Sequence, residues 1–86
     1  MSKSIYNEAY RDLVDAFKRA RIDAGMTQWD VANVLQKPQS YVAKVEGYER
    51  RLDIIELFDL ARTISWDPFP ALQRLFGDGG DPQQDS

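Results

Sequence analysis

The sequence contains no cysteine and no histidine. The first absence excludes disulfide staples, thiol nucleophiles and thiolate metal sites. The second excludes an imidazole base and any His-ligated zinc or haem. Most hydrolytic and redox chemistries go with them, and no nucleophile–base constellation stands out among the residues that remain. No apolar run approaches the ~20 residues that a membrane span requires. Met1-Ser2-Lys3-Ser4 leads into polar and charged residues, not into a signal-peptide core. The expectation is a cytoplasmic protein that is not an enzyme, with no cofactor, no metal and no membrane partner.

What is present fits one small domain. The chain has 86 residues, 43% of them hydrophobic, enough for a single core. Eleven basic residues face 14 acidic ones, a net charge of −3. Taken as a whole, that balance argues against a nucleic-acid partner.

The patterning is helical throughout. No strand-length stretch alternates β-branched with polar residues, and no Asn-Gly or Asp-Gly turn separates two such stretches. Tyr6, Tyr10, Leu13, Phe17, Ala20 and Ala24 repeat at helical spacing, which predicts a first helix over Tyr6 to Ala24 ended by Gly25. Thr27 and Asp30 form a capping-box variant that opens a second helix with Val31, Ala32 and Leu35 inward. Pro38 suits the first position of a third helix, about Gln39 to Glu46, with Val42 and Val45 inward and Gly47 as its stop. Asp53 and Glu56 form a second box, opening a fourth helix whose Ile54, Ile55, Leu57, Phe58, Leu60, Ala61 and Ile64 predict burial on more than one side. A fifth helix starts at Asp67-Pro68 and ends at Gly77. Residues 1–77 are thus expected to form the domain. Residues 78–86 contain no large apolar group and are expected to be a disordered acidic tail.

Two helices of about eight residues joined by a short turn suggest helix-turn-helix. Within them, small Ala32 sits where the next helix must cross closely, and Val31, Leu35, Val42 and Val45 pin the pair. Arg21 through Gln28, Pro38 through Glu46, and Arg50-Arg51-Leu52-Asp53 resemble the helix-turn-helix domain of the lambdoid phage repressor and Cro family, the XRE family. The resemblance implies an all-α, five-helix, lambda-repressor-like domain with its helix-turn-helix at helices two and three. It also implies roles for individual residues. Gln28, opening the second helix, resembles a phosphate-bonding glutamine. Gln39 and Ser40, opening the recognition helix, match positions that reach base edges, and Lys44 follows one turn later. Independently, glutamine suits adenine, serine any base edge and lysine guanine. Tyr41 is a further candidate for a base contact. Thr27, Lys37, Arg50 and Arg51 are candidate phosphate contacts. Arg21 and Glu46 match a partly buried structural ion pair. Trp29 could lie over the DNA backbone or cover a neighbouring helix, and packing is the favoured expectation.

The chain departs from the family pattern at three places, one of them Lys37, where the family is usually apolar. Gln36 occupies the turn position where the family usually has glycine in the left-handed conformation, a strain of ~1 kcal/mol. Where the family often has Glu-x-Gly, this chain has Glu46-Gly47-Tyr48, with the glycine one place early.

The charges segregate along the chain. Residues 16–51 hold seven basic and four acidic residues, a net +3. Residues 52–86 hold two basic and seven acidic, a net −5. The positive segment holds the helix-turn-helix, which answers the objection from net charge. Trp66, Phe69, Leu72, Leu75 and Phe76 exceed what a short terminal helix needs to dock, and form a candidate homodimer interface. The leading expectation is a transcriptional regulator, a repressor, binding double-stranded DNA as a homodimer on a palindromic operator. The alternative is an antitoxin-like or phage-encoded regulator whose main partner is another protein.

Overall fold

The computed structural model describes the backbone of residues 2–80 and the side chains of residues 8–76. Five helices follow one another: α1 Ser2–Asp23, α2 Gln28–Leu35, α3 Gln39–Glu46, α4 Ile54–Thr63 and α5 Phe69–Gly80. No strand occurs among the described residues. α2 packs on α3 and α4, while α1 packs on α3 and α5.

Both capping boxes form. The Thr27 hydroxyl accepts from the Asp30 N–H, and the Asp30 carboxylate accepts in return from the Thr27 N–H. Asp53 and Glu56 repeat this at α4. Each box satisfies donors that a helix start otherwise leaves without partners.

The helix ends share a device that only partly follows glycine. α1 to α4 each finish in a paired 6→1 and 5→2 hydrogen-bond turn. At α1 the bonds run from Met26 N–H to Arg21 C=O and from Gly25 N–H to Ile22 C=O. The left-handed residue of each turn is Gly25 (φ 75°), Gln36 (φ 57°), Tyr48 (φ 64°) or Ser65 (φ 55°). The strain expected at Gln36 is therefore present. Gly47, expected to stop α3, instead has φ −89°. Its reason for being glycine is space, since a Cβ there would stand 3.2 Å from the Ala43 carbonyl oxygen.

The core centres on Phe17, Val31, Val42, Val45 and Leu60, joined by Ala32, Tyr41 and Ile64. A second cluster, Leu13, Leu57 and Ala71, lies where α5 meets α1 and α4. Because α1 contributes Phe17 to one cluster and Leu13 to the other, it is the spine shared by both.

Several expectations change. α1 begins at Ser2 and ends one residue before Ala24; the side chain of Tyr6 lies outside the described residues. Pro38 stands just before α3, not inside it, with its C=O accepting from Tyr41 N–H. α5 runs past Gly77 to Gly80, because glycine weakens a helix without necessarily stopping it. The remainder of the expected tail, residues 81–86, lies outside the described residues. α4 is buried along Leu57, Leu60, Ala61 and Ile64, but Ile54 and Ile55 in its first turn are exposed, beyond the edge of the core. Trp29, expected to pack, is 62% exposed. It sits on the outer face of α2, opposite the Val31 and Ala32 side that meets the core.

Candidate nucleic-acid interface

α3 is amphipathic, and its faces divide the candidate residues. Val42, Val45, Glu46 and Tyr41 are buried. Ser40 and Lys44, one turn apart, are exposed, and Gln39 and Ala43 are half-buried beside them. Ser40 and Lys44 therefore share an outward face. Ala43, which the sequence reading passed over, lies one turn beyond Gln39 and presents a methyl group near that face.

Tyr41 does not join them. It is 8% exposed and belongs to the core around Phe17 and Leu60. Burial raises the pKa of its phenol, and the nearby Glu56 carboxylate raises it further. The expectation of a base contact from Tyr41 is corrected on this ground: its ring packs behind α3, away from the Ser40–Lys44 face.

Arg21 and Glu46 form the expected buried pair. The guanidinium Nε and Nη2 donate to the two carboxylate oxygens at 2.6 and 2.9 Å, with the residues 8% and 6% exposed. Arg21 Nη1 also donates to the Met26 C=O at 2.8 Å, tying the pair to the α1–α2 turn. From Glu46 the bonding continues outward. Gln28 Nε2 donates to Glu46 Oε1 at 2.9 Å, and Gln39 Nε2 donates to Gln28 Oε1 at 2.7 Å. This chain has one direction. An ionised carboxylate only accepts, so Gln28 must turn its N–H group toward Glu46 and its carbonyl toward Gln39. Gln39 must then turn an N–H inward, which leaves its carbonyl oxygen and second N–H for an outside partner.

The candidate phosphate contacts are held in different ways. Thr27 is exposed beside its capping bond. Lys37 is exposed, with its ammonium 5.0 Å from the Tyr41 ring centre. Arg50 makes a bidentate bond to Glu56 at 2.9 and 2.8 Å, and its guanidinium lies 4.9 Å from the same Tyr41 ring centre. This bonding raises the Arg50 pKa and holds the Glu56 carboxyl below its usual range. Arg51 is exposed, with its guanidinium 5.2 Å from the Tyr10 ring centre. Tyr10 also brackets this loop: its hydroxyl donates to the Arg50 C=O and accepts from the Leu52 N–H. Tyr48 is anchored to α1 by its hydroxyl on Asp15 and by Arg11 over its ring. Sequence reasoning missed these tyrosine contacts. Their partners lie up to 42 residues apart, outside any local pattern.

Of the residues expected at a dimer interface, Phe69 and Phe76 are 62% and 85% exposed. Trp66 is half-buried and packs on Phe17 at 6.1 Å between ring centres. Leu72 and Leu75 lean on the Leu13 cluster. Exposed apolar surface continues from α5 onto α4, where half-buried Phe58 meets Phe69 at 5.9 Å and Ile54 and Ile55 lie in the same helix.

No described helix is long and apolar enough to cross a membrane. Among the described residues no cluster of three potential metal ligands occurs. No family model matches the chain, and no curated protein matches it. Solved structures do. An XRE-family like protein from Pseudomonas syringae pv. tomato str. DC3000 is 43% identical, with a TM-score of 0.82 over 92% of this chain and 96% of that one. The wild-type restriction-modification controller protein C.Esp1396I shares the fold at 21% identity, with a TM-score of 0.67 over 81% of this chain and 92% of that one. At 43% identity over nearly the whole of both chains, the relationship extends beyond shared shape, and this protein belongs to the XRE family of helix-turn-helix DNA-binding regulators.

Proposed function

We propose that this protein is a sequence-specific regulator of transcription, a cytoplasmic repressor that binds double-stranded DNA as a homodimer on a two-fold operator. α2 and α3 form its helix-turn-helix, with α3 entering the major groove. The observation that carries this reading is the directed chain from Arg21 through Glu46 and Gln28 to Gln39. It fixes an amide at the start of α3 with one acceptor and one donor turned outward. That pair matches the N6 donor and N7 acceptor of adenine in the major groove. Ser40 and Lys44 complete the reading face. Thr27, Gln28, Lys37, Arg50 and Arg51 surround it as phosphate contacts that set register without reading sequence.

The two-fold arrangement rests on the exposed Phe69 and Phe76. A second copy docked through α5 would cover both, and two-fold helix-turn-helix dimers read half-sites ~34 Å apart.

Selection of bound sequences from a random duplex pool, followed by gel shifts across a salt series, tests the reading. Log affinity is expected to fall with log salt by ~0.9 for each phosphate neutralised. Gln39→Ala is expected to relax preference at one adenine by ~1–3 kcal/mol and leave the other positions alone. Equal binding of parent and variant to every duplex overturns the assignment.

A further inference from the structure

Lys37 precedes α3, Arg50 follows it, and Tyr41 lies inside it. The cations of both flanking residues come within 5.0 Å of the centre of that one ring. The ring itself is held by the core, at 8% exposure, so it provides a fixed base and not a mobile contact. An aromatic face carries negative potential and attracts a cation placed over it. Arg50 is fixed a second time by the bidentate Glu56, which the Asp53 capping box holds in turn. Lys37 has no carboxylate within ion-pair distance among the described residues, and rests on the ring.

We propose that Tyr41 is a positioning residue for DNA-phosphate binding: its buried ring orders Lys37 and Arg50, which precede and follow α3 in the chain, before DNA arrives. This rests on the DNA-binding reading above and adds a role for a side chain that touches no DNA. A long basic side chain loses rotamer freedom when it settles on a phosphate, and weakens binding by that loss. Side chains already ordered on the ring have less freedom to lose. The role is independent of base sequence, because phosphates are alike at every step of the duplex.

A core role for Tyr41 requires only the shape of the ring, whereas a positioning role requires its electron density. The two separate in a series at this position. Tyr41→Phe keeps the aromatic face. Tyr41→3,4,5-trifluorophenylalanine keeps nearly the same shape but withdraws the negative potential from that face. The expected result is near-parent affinity for the phenylalanine protein. The fluorinated protein is expected to bind about tenfold more weakly on matched and mismatched duplexes alike, with the two proteins melting at the same temperature. Equal affinity of the two overturns the proposal. So does a loss confined to one base position, which indicates a base contact, or a loss tracked by a lower melting temperature, which indicates packing alone. A parent protein that binds no duplex overturns the DNA-binding reading itself, and the positioning role with it. A parent that binds, together with a flat series, removes only the positioning role.

Discussion

Glu46 takes three hydrogen bonds on two oxygens, two from Arg21 and one from Gln28. Buried at 6% exposure, it leaves Arg21 stranded if truncated. Glu46→Ala is expected to destabilise the fold by ~3–5 kcal/mol, seen as a large fall in melting temperature. It should also free Gln28 and Gln39 from their fixed orientation. A variant that melts with the parent would remove the burial argument. Gln36 presents the opposite case. It occupies the left-handed region at φ 57° with no Cβ-free residue to relieve it. Gln36→Gly is expected to stabilise the protein by up to ~1 kcal/mol, a rise in melting temperature of ~4–8 °C for a domain of this size. Both residues were legible in the sequence against the family pattern, Glu46 as a match and Gln36 as a departure. Tyr41 was not. Its place in the helix next to Ser40 suggested an outward residue, and only the packing of α3 against α2 and α1 decides that the ring turns in.

At the scale of elements, the start of α4 is a small charged assembly. Asp53 caps the helix, Glu56 closes the box, and Arg50 grips Glu56. The Arg50 guanidinium, and after it the Asp53 backbone N–H, hold the Glu56 carboxyl below its usual range. A carboxyl depressed in the folded state contributes stability above its unfolded pKa, which is lost as pH falls through the folded value. The expected outcome is a stability loss that begins as pH falls to the ordinary value of 4.5 and is complete below the depressed folded value. Glu56→Gln should remove that component while keeping the capping box, since glutamine also accepts from the N-cap N–H. Parallel stability-against-pH curves for the two proteins would contradict it. The starts of α2 and α4 were readable in advance, because capping boxes are local and carry their signal within four residues. Helix ends were less so. Three of the four left-handed seats hold Gln36, Tyr48 and Ser65, and the glycines at 47 and 77 sit where no reversal occurs. Glycine marks permission for a turn; the core decides where the chain takes it.

For the molecule as a whole, exposed aromatic surface on α5 sets the expectation of assembly. Phe69→Ser with Phe76→Ser should leave the monomer folded, since both side chains are largely outside the core. It should shift sedimentation from dimer to monomer at tens of micromolar and weaken operator binding more than half-site binding. A parent protein that sediments as a monomer at that concentration refutes the interface. The five-helix plan could be read from hydrophobic spacing because every helix carries its own apolar stripe. The candidate interface residues were harder to sort. Trp66, Leu72 and Leu75 look like Phe69 and Phe76 in sequence, and differ only in whether α1 is there to cover them.

The left-handed helix ends also bear on how such a protein can change its target. Gln36 and Ser65 together hold the folded state back by ~2 kcal/mol, against a total of ~5–15 kcal/mol for a domain. Neither residue belongs to the core clusters. A glycine at either seat adds tolerance for substitutions elsewhere without disturbing the proposed reading face. On the proposed reading, a substitution at half-buried Gln39 that retargets α3 to a new operator also removes its bond to Gln28, a loss of ~1 kcal/mol. The strained turns are therefore a store of evolvability, lying one substitution away from the margin that a change of specificity consumes.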